Sequence, residues 1–193
     1  MELKEYLSLE NVQDMLRNND LDAVYKNLFK YLIDVEKLTQ FLMENVGIDP
    51  LEYVTCIYPS MYNGSGFEDI IIPRNVTCIY NSAFRDLTSL RNIRLHEYID
   101  YIGGSAFQNC TNLYEIYLPK KLTFISACTF KYCNELSEVY LPKSVTKIDT
   151  DAFLYCSSLT DIYYEGSNED YENIEIEDGN GLFKSATVHY NAY

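Results

Sequence analysis

Tryptophan is absent from this 193-residue chain, and histidine occurs only as His96 and His189. No CxxC or CxxH pair is present, so the convergent four-ligand set of a zinc site is missing. GxSxG, HExxH, Walker A and GxGxxG are also missing, and no side chain is nominated as nucleophile or base. The chain is expected not to be an enzyme and to need no cofactor or metal. Glu175, Glu177, Asp178 and Asn180 depart from the EF-hand order and read as a solvated turn around Gly179 and Gly181. No stretch approaches the roughly 18 apolar residues of a membrane span. The opening MELKEYLSLENVQDMLRNND lacks a basic segment followed by an apolar run, so no signal peptide is read there and a cytoplasmic location is expected. Basic residues are scarce, 15 against 29 acids, for a net charge of −14. Such a chain repels nucleic acid and anionic membrane, and its field favours a basic protein partner.

What is present is a register. Phe84, Phe107, Phe130 and Phe153 follow one another at intervals of 23 residues. A fixed period in the twenties is the mark of a solenoid whose turns stack. Further columns keep the same phase: Ile70, Ile93, Ile116, Val139 and Ile162; Ile72, Leu95, Leu118, Leu141 and Tyr164; Val76, Ile99, Leu122 and Val145; Ile79, Ile102, Ile125 and Ile148. Within each turn L-x-x-I-x-L carries strand alternation, and Pro73, Pro119 and Pro142 end that strand by removing a ladder donor. No turn can bury its own apolar face, so its neighbours complete the core.

These residues resemble the BspA-type, or Treponema pallidum-type, leucine-rich repeat, roughly LxxIxLPxxVxxIxxxAFxxCxx, over about residues 67–164. The tail from Tyr163 onward is also similar to the usual ending of such chains. Three positions depart from the pattern: His96 for Pro, Thr129 for Ala and Leu87 for Cys. The resemblance implies a parallel-stranded binding solenoid without catalytic residues. Residues 1–62 lack the register and show helical stripes, such as Leu21, Val24, Tyr25, Leu28, Phe29 and Leu32. Asn63-Gly64-Ser65-Gly66 reads as a hinge. The expected fold class is α+β: a helical cap or docking domain over 1–62, then a leucine-rich-repeat solenoid over 63–193. The solenoid is expected to hold four full repeats, a partial fifth and a C-terminal cap.

Cys110, Cys133 and Cys156 share a column with Leu87, which marks it as apolar core rather than a disulfide or metal site. Cys56, Cys78 and Cys128 follow no readable pattern. Functional information should lie in the columns that point away from the core. Before the central Ile these are Asp69, Asn92, Glu115, Glu138 and Asp161; after it, Ile71, Arg94, Tyr117, Tyr140 and Tyr163. An acidic ladder should therefore run beside a tyrosine ladder on one sheet face. A second acidic region comprises Glu165, Glu169, Asp170, Glu172, Glu175, Glu177 and Asp178. The expected function is a non-enzymatic interaction module that binds a basic partner through the Tyr/acid face. Two alternatives are a phage-type acidic inhibitor of a nucleic-acid-binding enzyme (an anti-CRISPR or other anti-defence protein) and a bacterial surface adhesin.

Overall fold

The computed structural model describes residues 55–59, 62 and 66–192. The helical stripes expected within residues 1–54 and most of the hinge at Asn63–Gly66 lie outside the described residues. From Cys56 onward the chain winds as a solenoid with two short strands and one tight bend per turn. The first strand column holds β2 (Asp69–Ile71), β4 (Asn92–Arg94), β6 (Glu115–Tyr117), β8 (Glu138–Leu141), β10 (Asp161–Tyr164) and β12 (Thr187–Tyr190). The second holds β1 (Cys56–Ile57), β3 (Cys78–Ile79), β5 (Tyr101–Ile102), β7 (Phe124–Ile125), β9 (Lys147–Ile148) and β11 (Glu175–Ile176). Every recorded pairing is parallel, and partners fall in the columns read from sequence, as in Ile116↔Val139 and Ile162↔Val139.

Alternation in L-x-x-I-x-L sends the central Ile inward and its neighbours outward, so β2 and β4 alternate exposed, buried, exposed. The core is a stack of like residues. Rings from Tyr62, Phe84, Phe107, Phe130, Phe153 and Phe183 follow one another at centroid spacings of 4.6–5.4 Å. All are buried. Around these rings the bend carries its own ladder. The amides of Phe84, Phe107 and Phe130 donate to the carbonyls of Ala106, Thr129 and Ala152 one turn on. Residues two before and two after each ring take the left-handed conformation: Ser82, Ser105, Cys128 and Asp151 at φ 58–59°, and Asp86, Asn109, Tyr132 and Tyr155 at φ 62–64°. This conformation aims the amides of all but Tyr155 along the solenoid as well, as in Asn109 N–H to Lys131 O at 2.8 Å.

The departures from the repeat pattern are each accommodated. Thr129, in the alanine column, is buried and donates its hydroxyl to Ser126 O at 2.7 Å. His96, in the proline column, is half-buried. It donates from Nε2 to Pro73 O at 2.7 Å and accepts the Tyr98 amide at Nδ1 at 3.3 Å. The thiols of Cys110, Cys133 and Cys156 are buried and donate to Phe84 O, Phe107 O and Phe130 O at 3.1–3.2 Å. Burial pushes Cys110 and Cys156 up to about 12, and Cys133 well above its ordinary value. Cys56 and Cys78, adjacent in register, form a disulfide.

The two ends of the solenoid depart from the regular turns. The strand ladder begins at Cys56, ahead of residue 63, because β1 pairs with β3. The fifth turn, expected to be partial, completes itself with longer arcs. Helix α1 (Asn168–Glu172) loops out, capped by Ser167 and Asp170 in a reciprocal capping box. The chain then returns as β11 beside β9, enters the ring stack with Phe183 of helix α2 (Gly181–Ser185), and pairs β12 with β10. Asn180, nearly inaccessible, closes the bend ladder. Its Oδ1 accepts the Phe153 amide at 3.0 Å, where earlier turns use a backbone carbonyl. Its Nδ2 donates to Asp149 O at 2.9 Å and Glu177 O at 3.1 Å.

Candidate interaction face

The outward residues of β6, β8 and β10 form two parallel rows on one sheet. Register alone fixes this, because Tyr117↔Tyr140 and Tyr140↔Tyr163 are paired neighbours, as are Glu115↔Glu138 and Glu138↔Asp161. The tyrosine row is a continuous stack. Tyr117 and Tyr140 lie 3.8 Å apart at 12°, and Tyr140 and Tyr163 lie 4.7 Å apart at 13°. His189 of β12 adds a fourth ring, 4.7 Å from Tyr163. The row begins with Ile71 and Arg94, both exposed.

The acidic row is mostly satisfied within the face. Asp69 accepts Asn92 Nδ2 at 2.7 Å, Glu138 accepts the Tyr140 hydroxyl at 3.0 Å, and Asp161 accepts His189 Nε2 at 2.7 Å. These contacts offset part of the repulsion between stacked carboxylates. The His189 hydrogen bond, followed by one from Thr160, holds Asp161 below the usual carboxylate range. The hydrogen bond with Tyr117, then burial, then Glu138 push the Tyr140 phenol well up, so it stays protonated. Glu115 differs from the others. It is half-buried and has no hydrogen-bond or ion-pair partner among the described residues.

Glu115 lines a cleft of about 600 Å³, together with Asp69, Asn92, Arg94, Leu95 and Tyr117. The cleft lies where β4 and β6 face each other without a ladder, so the strand column divides into β2-β4 and β6-β8-β10-β12. Leu95, expected in the core, is only half-buried there, whereas Ile72, Leu118, Leu141 and Tyr164 are buried.

Several carboxylates of the second acidic region are engaged by other parts of the chain. Glu165 accepts Lys120 Nζ at 2.9 Å, and Lys147 Nζ reaches both Glu175 and Glu177, at 3.2 and 2.9 Å. Asp170 caps α1, Glu172 accepts Asn168 Nδ2 at 2.9 Å, and Asp178 receives the Asp151 amide on its carbonyl. Glu169 is exposed on α1. The lysines come from earlier turns, so the run between Lys147 and Lys184, which contains no basic residue, is partly neutralised in space.

Sequence reading missed His189, whose signal was the alternation of Thr187-Val188-His189-Tyr190 copying Asp161-Ile162-Tyr163-Tyr164. It also missed Tyr132 and Tyr155, an exposed pair stacked at 4.8 Å on the bend. Among the described residues no group of His, Cys, Asp and Glu could hold a metal ion.

Stacked parallel strands, apolar columns at repeat spacing and a row of outward side chains define a leucine-rich-repeat solenoid. The sequence model of the BspA type leucine rich repeat region matches residues 55–177 in six copies, and the chain belongs to that family. Solved structures agree on the fold. A leucine rich cell surface protein from Faecalibacterium prausnitzii matches at TM-score 0.52 and 24% identity, over 56% of this chain and 35% of its own. The leucine-rich repeat protein of T. pallidum matches at TM-score 0.52 and 26% identity, over 58% of this chain and 52% of its own. A leucine-rich repeat protein from Bacteroides ovatus matches at TM-score 0.51 and 20% identity, over 69% and 36%. The chain thus spans between about a third and a half of the length of these proteins. No curated protein sequence matches it. No helix among the described residues is long and apolar enough to cross a membrane.

Proposed function

We propose that this protein is a non-enzymatic interaction module whose Tyr/acid face binds a basic protein partner. The observation that carries this reading is the unbroken outward stack of Tyr117, Tyr140, Tyr163 and His189 beside Glu115, Glu138 and Asp161. Stacked rings on a sheet are already ordered, so a partner covers a large rigid aromatic area with little loss of rotamer freedom. The adjoining carboxylates supply the charge complement for Lys or Arg and steer their approach. The test is capture of partners by the wild-type chain and by the triple variant Tyr117→Ala, Tyr140→Ala and Tyr163→Ala. Binding of the captured partner should weaken by several kcal/mol in the variant if these rings are hot spots. Undiminished affinity of a folded triple variant removes this face.

The Cys56–Cys78 disulfide favours a setting outside the reducing cytoplasm, because such bonds persist in oxidising compartments. That supports the adhesin version of the reading over a cytoplasmic one. Fractionation of the native host decides between them: recovery of the chain only in the cytoplasmic fraction, with all its thiols reduced, excludes the surface setting.

A further inference from the structure

We infer that the cleft between β4 and β6 is an anchor pocket for one tryptophan or tyrosine side chain of the partner. This rests on the reading that the face binds a protein, and adds which side chain it takes and where. The ring stack runs from His189 to Tyr117 and stops at the point where the strand ladder is interrupted. One face of Tyr117 packs on Tyr140; the other meets no ring among the described residues and borders the cleft. Tyr117 is 47% exposed.

Three groups in the cleft complement a flat ring with a polar edge. The free face of Tyr117 offers an aromatic surface for offset stacking. Arg94 has no carboxylate partner among the described residues, and a guanidinium is drawn to the face of an aromatic ring. Glu115, half-buried and unpartnered, is an acceptor that an indole N–H or a phenol O–H would satisfy. Asp69 in the cleft already accepts Asn92 Nδ2 and its charge offsets that of Arg94, so a lysine or arginine side chain would gain Glu115 alone and would bring its charge against Arg94. An aliphatic side chain would leave Glu115 without a donor. The cleft, at about 600 Å³, is large enough for an indole. The paired acids Glu138 and Asp161 lie further along the stack, so basic residues flanking the ring in the partner would meet them.

The chain has no tryptophan, so indole emission reports the ligand alone. Two peptides serve as probes, Lys-Lys-Gly-Trp-Gly-Lys-Lys and the same sequence with Leu for Trp. Affinities come from competition, and the location comes from amide shifts of the ¹⁵N-labelled chain. The tryptophan peptide should bind at least tenfold tighter than the leucine peptide, with blue-shifted emission and shifts centred on β4 and β6. Tyr117→Leu and Glu115→Ala should each remove most of that preference. Tyr132→Ala, at an exposed ring on the bend, should leave it intact. Equal affinity for the two peptides, or a tryptophan preference that survives Tyr117→Leu, overturns the pocket. The basic-partner reading fails separately: neutralising Glu138 and Asp161, as Glu138→Gln and Asp161→Asn, would then leave both affinities and their salt dependence unchanged.

Discussion

Replacing Asn180 with alanine should loosen the C-terminal end of the solenoid by about 3 kcal/mol, and the figure follows from the three shortest of its four side-chain hydrogen bonds. In the wild type Oδ1 takes the Phe153 amide at 3.0 Å, and Nδ2 serves Asp149 O and Glu177 O at 2.9 and 3.1 Å. Phe153 is fully buried, so its amide loses its partner without ready access to water, which costs about 1–3 kcal/mol. The two carbonyls lose net bonds worth about 0.5–1.5 kcal/mol each. Asp149 and Glu177 are half-buried, so solvent can partly replace the donor their carbonyls lose, and this places the total near the lower half of the range. For a chain of this size about 3 kcal/mol corresponds to a fall of roughly 6–12 °C in melting temperature. The assay is urea and thermal unfolding by circular dichroism, paired with amide hydrogen exchange. Exchange should quicken at Phe153 while Phe107 and Phe130, held by Thr129 O and Ala152 O, keep their protection. A loss under about 0.5 kcal/mol, or equal exchange at the three phenylalanine amides, would refute the claim that one side chain terminates the bend ladder.

Three further outcomes follow from the same geometry. Phe130→Ala empties the middle of the ring stack, between neighbours at 5.4 and 5.2 Å, and should cost about 3–5 kcal/mol in urea unfolding; a cost near 1 kcal/mol would mean that the stack is loosely packed. Of six cysteines, Cys56 and Cys78 are bridged, and burial holds the thiols of Cys110, Cys133 and Cys156 protonated. Native alkylation followed by mass spectrometry should therefore label Cys128 first, denaturation without reductant should expose four thiols, and reductant should lower stability by up to about 3 kcal/mol for a loop of this length. The Lys120 ammonium, then the Lys143 amide, hold Glu165 below its ordinary value. A depressed carboxylate stabilises the fold above its unfolded pKa of about 4.3, and that contribution fades as pH falls through the lower folded value. Lys120→Met should raise the Glu165 value in a carboxyl NMR titration and flatten this part of the acid limb; an unchanged value would show that the Lys143 amide alone sets it.

The interior was legible because it repeats at constant length. A column such as Ile70, Ile93, Ile116, Val139, Ile162 needs only an unvarying count of residues between turns to be seen, and the same count gave the phase of the outward rows. The last turn was hidden for the same reason. Phe183 lies 30 residues after Phe153, and Val188 lies 26 after Ile162, because α1 and longer arcs are inserted between conserved rungs. Stacking constrains where rungs meet but not how much chain travels between them, so a fixed period overlooks a turn that the ladder retains. The cleft was hidden differently. Nothing in Arg94-Leu95-His96 announces that β4 and β6 will face each other without a ladder, since that depends on backbone geometry across two turns. The disulfide likewise depended on Cys56 belonging to a rung that precedes the recognisable repeats.

The bend columns show how the same register separates structure from candidate function. Each of the four turns built on Phe84, Phe107, Phe130 and Phe153 has two left-handed residues around its phenylalanine, and Asp86 and Asn109 meet that need with small polar side chains that tolerate positive φ. They also bond each other, Asn109 Nδ2 to Asp86 Oδ1 at 2.9 Å. Tyr132 and Tyr155 occupy the same column at φ 64°, where a bulky side chain is disfavoured by about 1 kcal/mol or more, and stack with each other in compensation. The outward strand tyrosines carry no such conflict, because extended backbone favours aromatic residues. Restoring the upstream choice with Tyr132→Asn and Tyr155→Asn therefore exchanges a ring stack for relaxed backbone and an amide pair. Stability should change by less than about 1 kcal/mol, and peptide binding at the strand face should not change at all. A loss of several kcal/mol would show that the bend rings hold the turns together. A loss of strand-face binding would show that the two tyrosine stacks act as one surface, contrary to the separation of strand and bend that the register imposes.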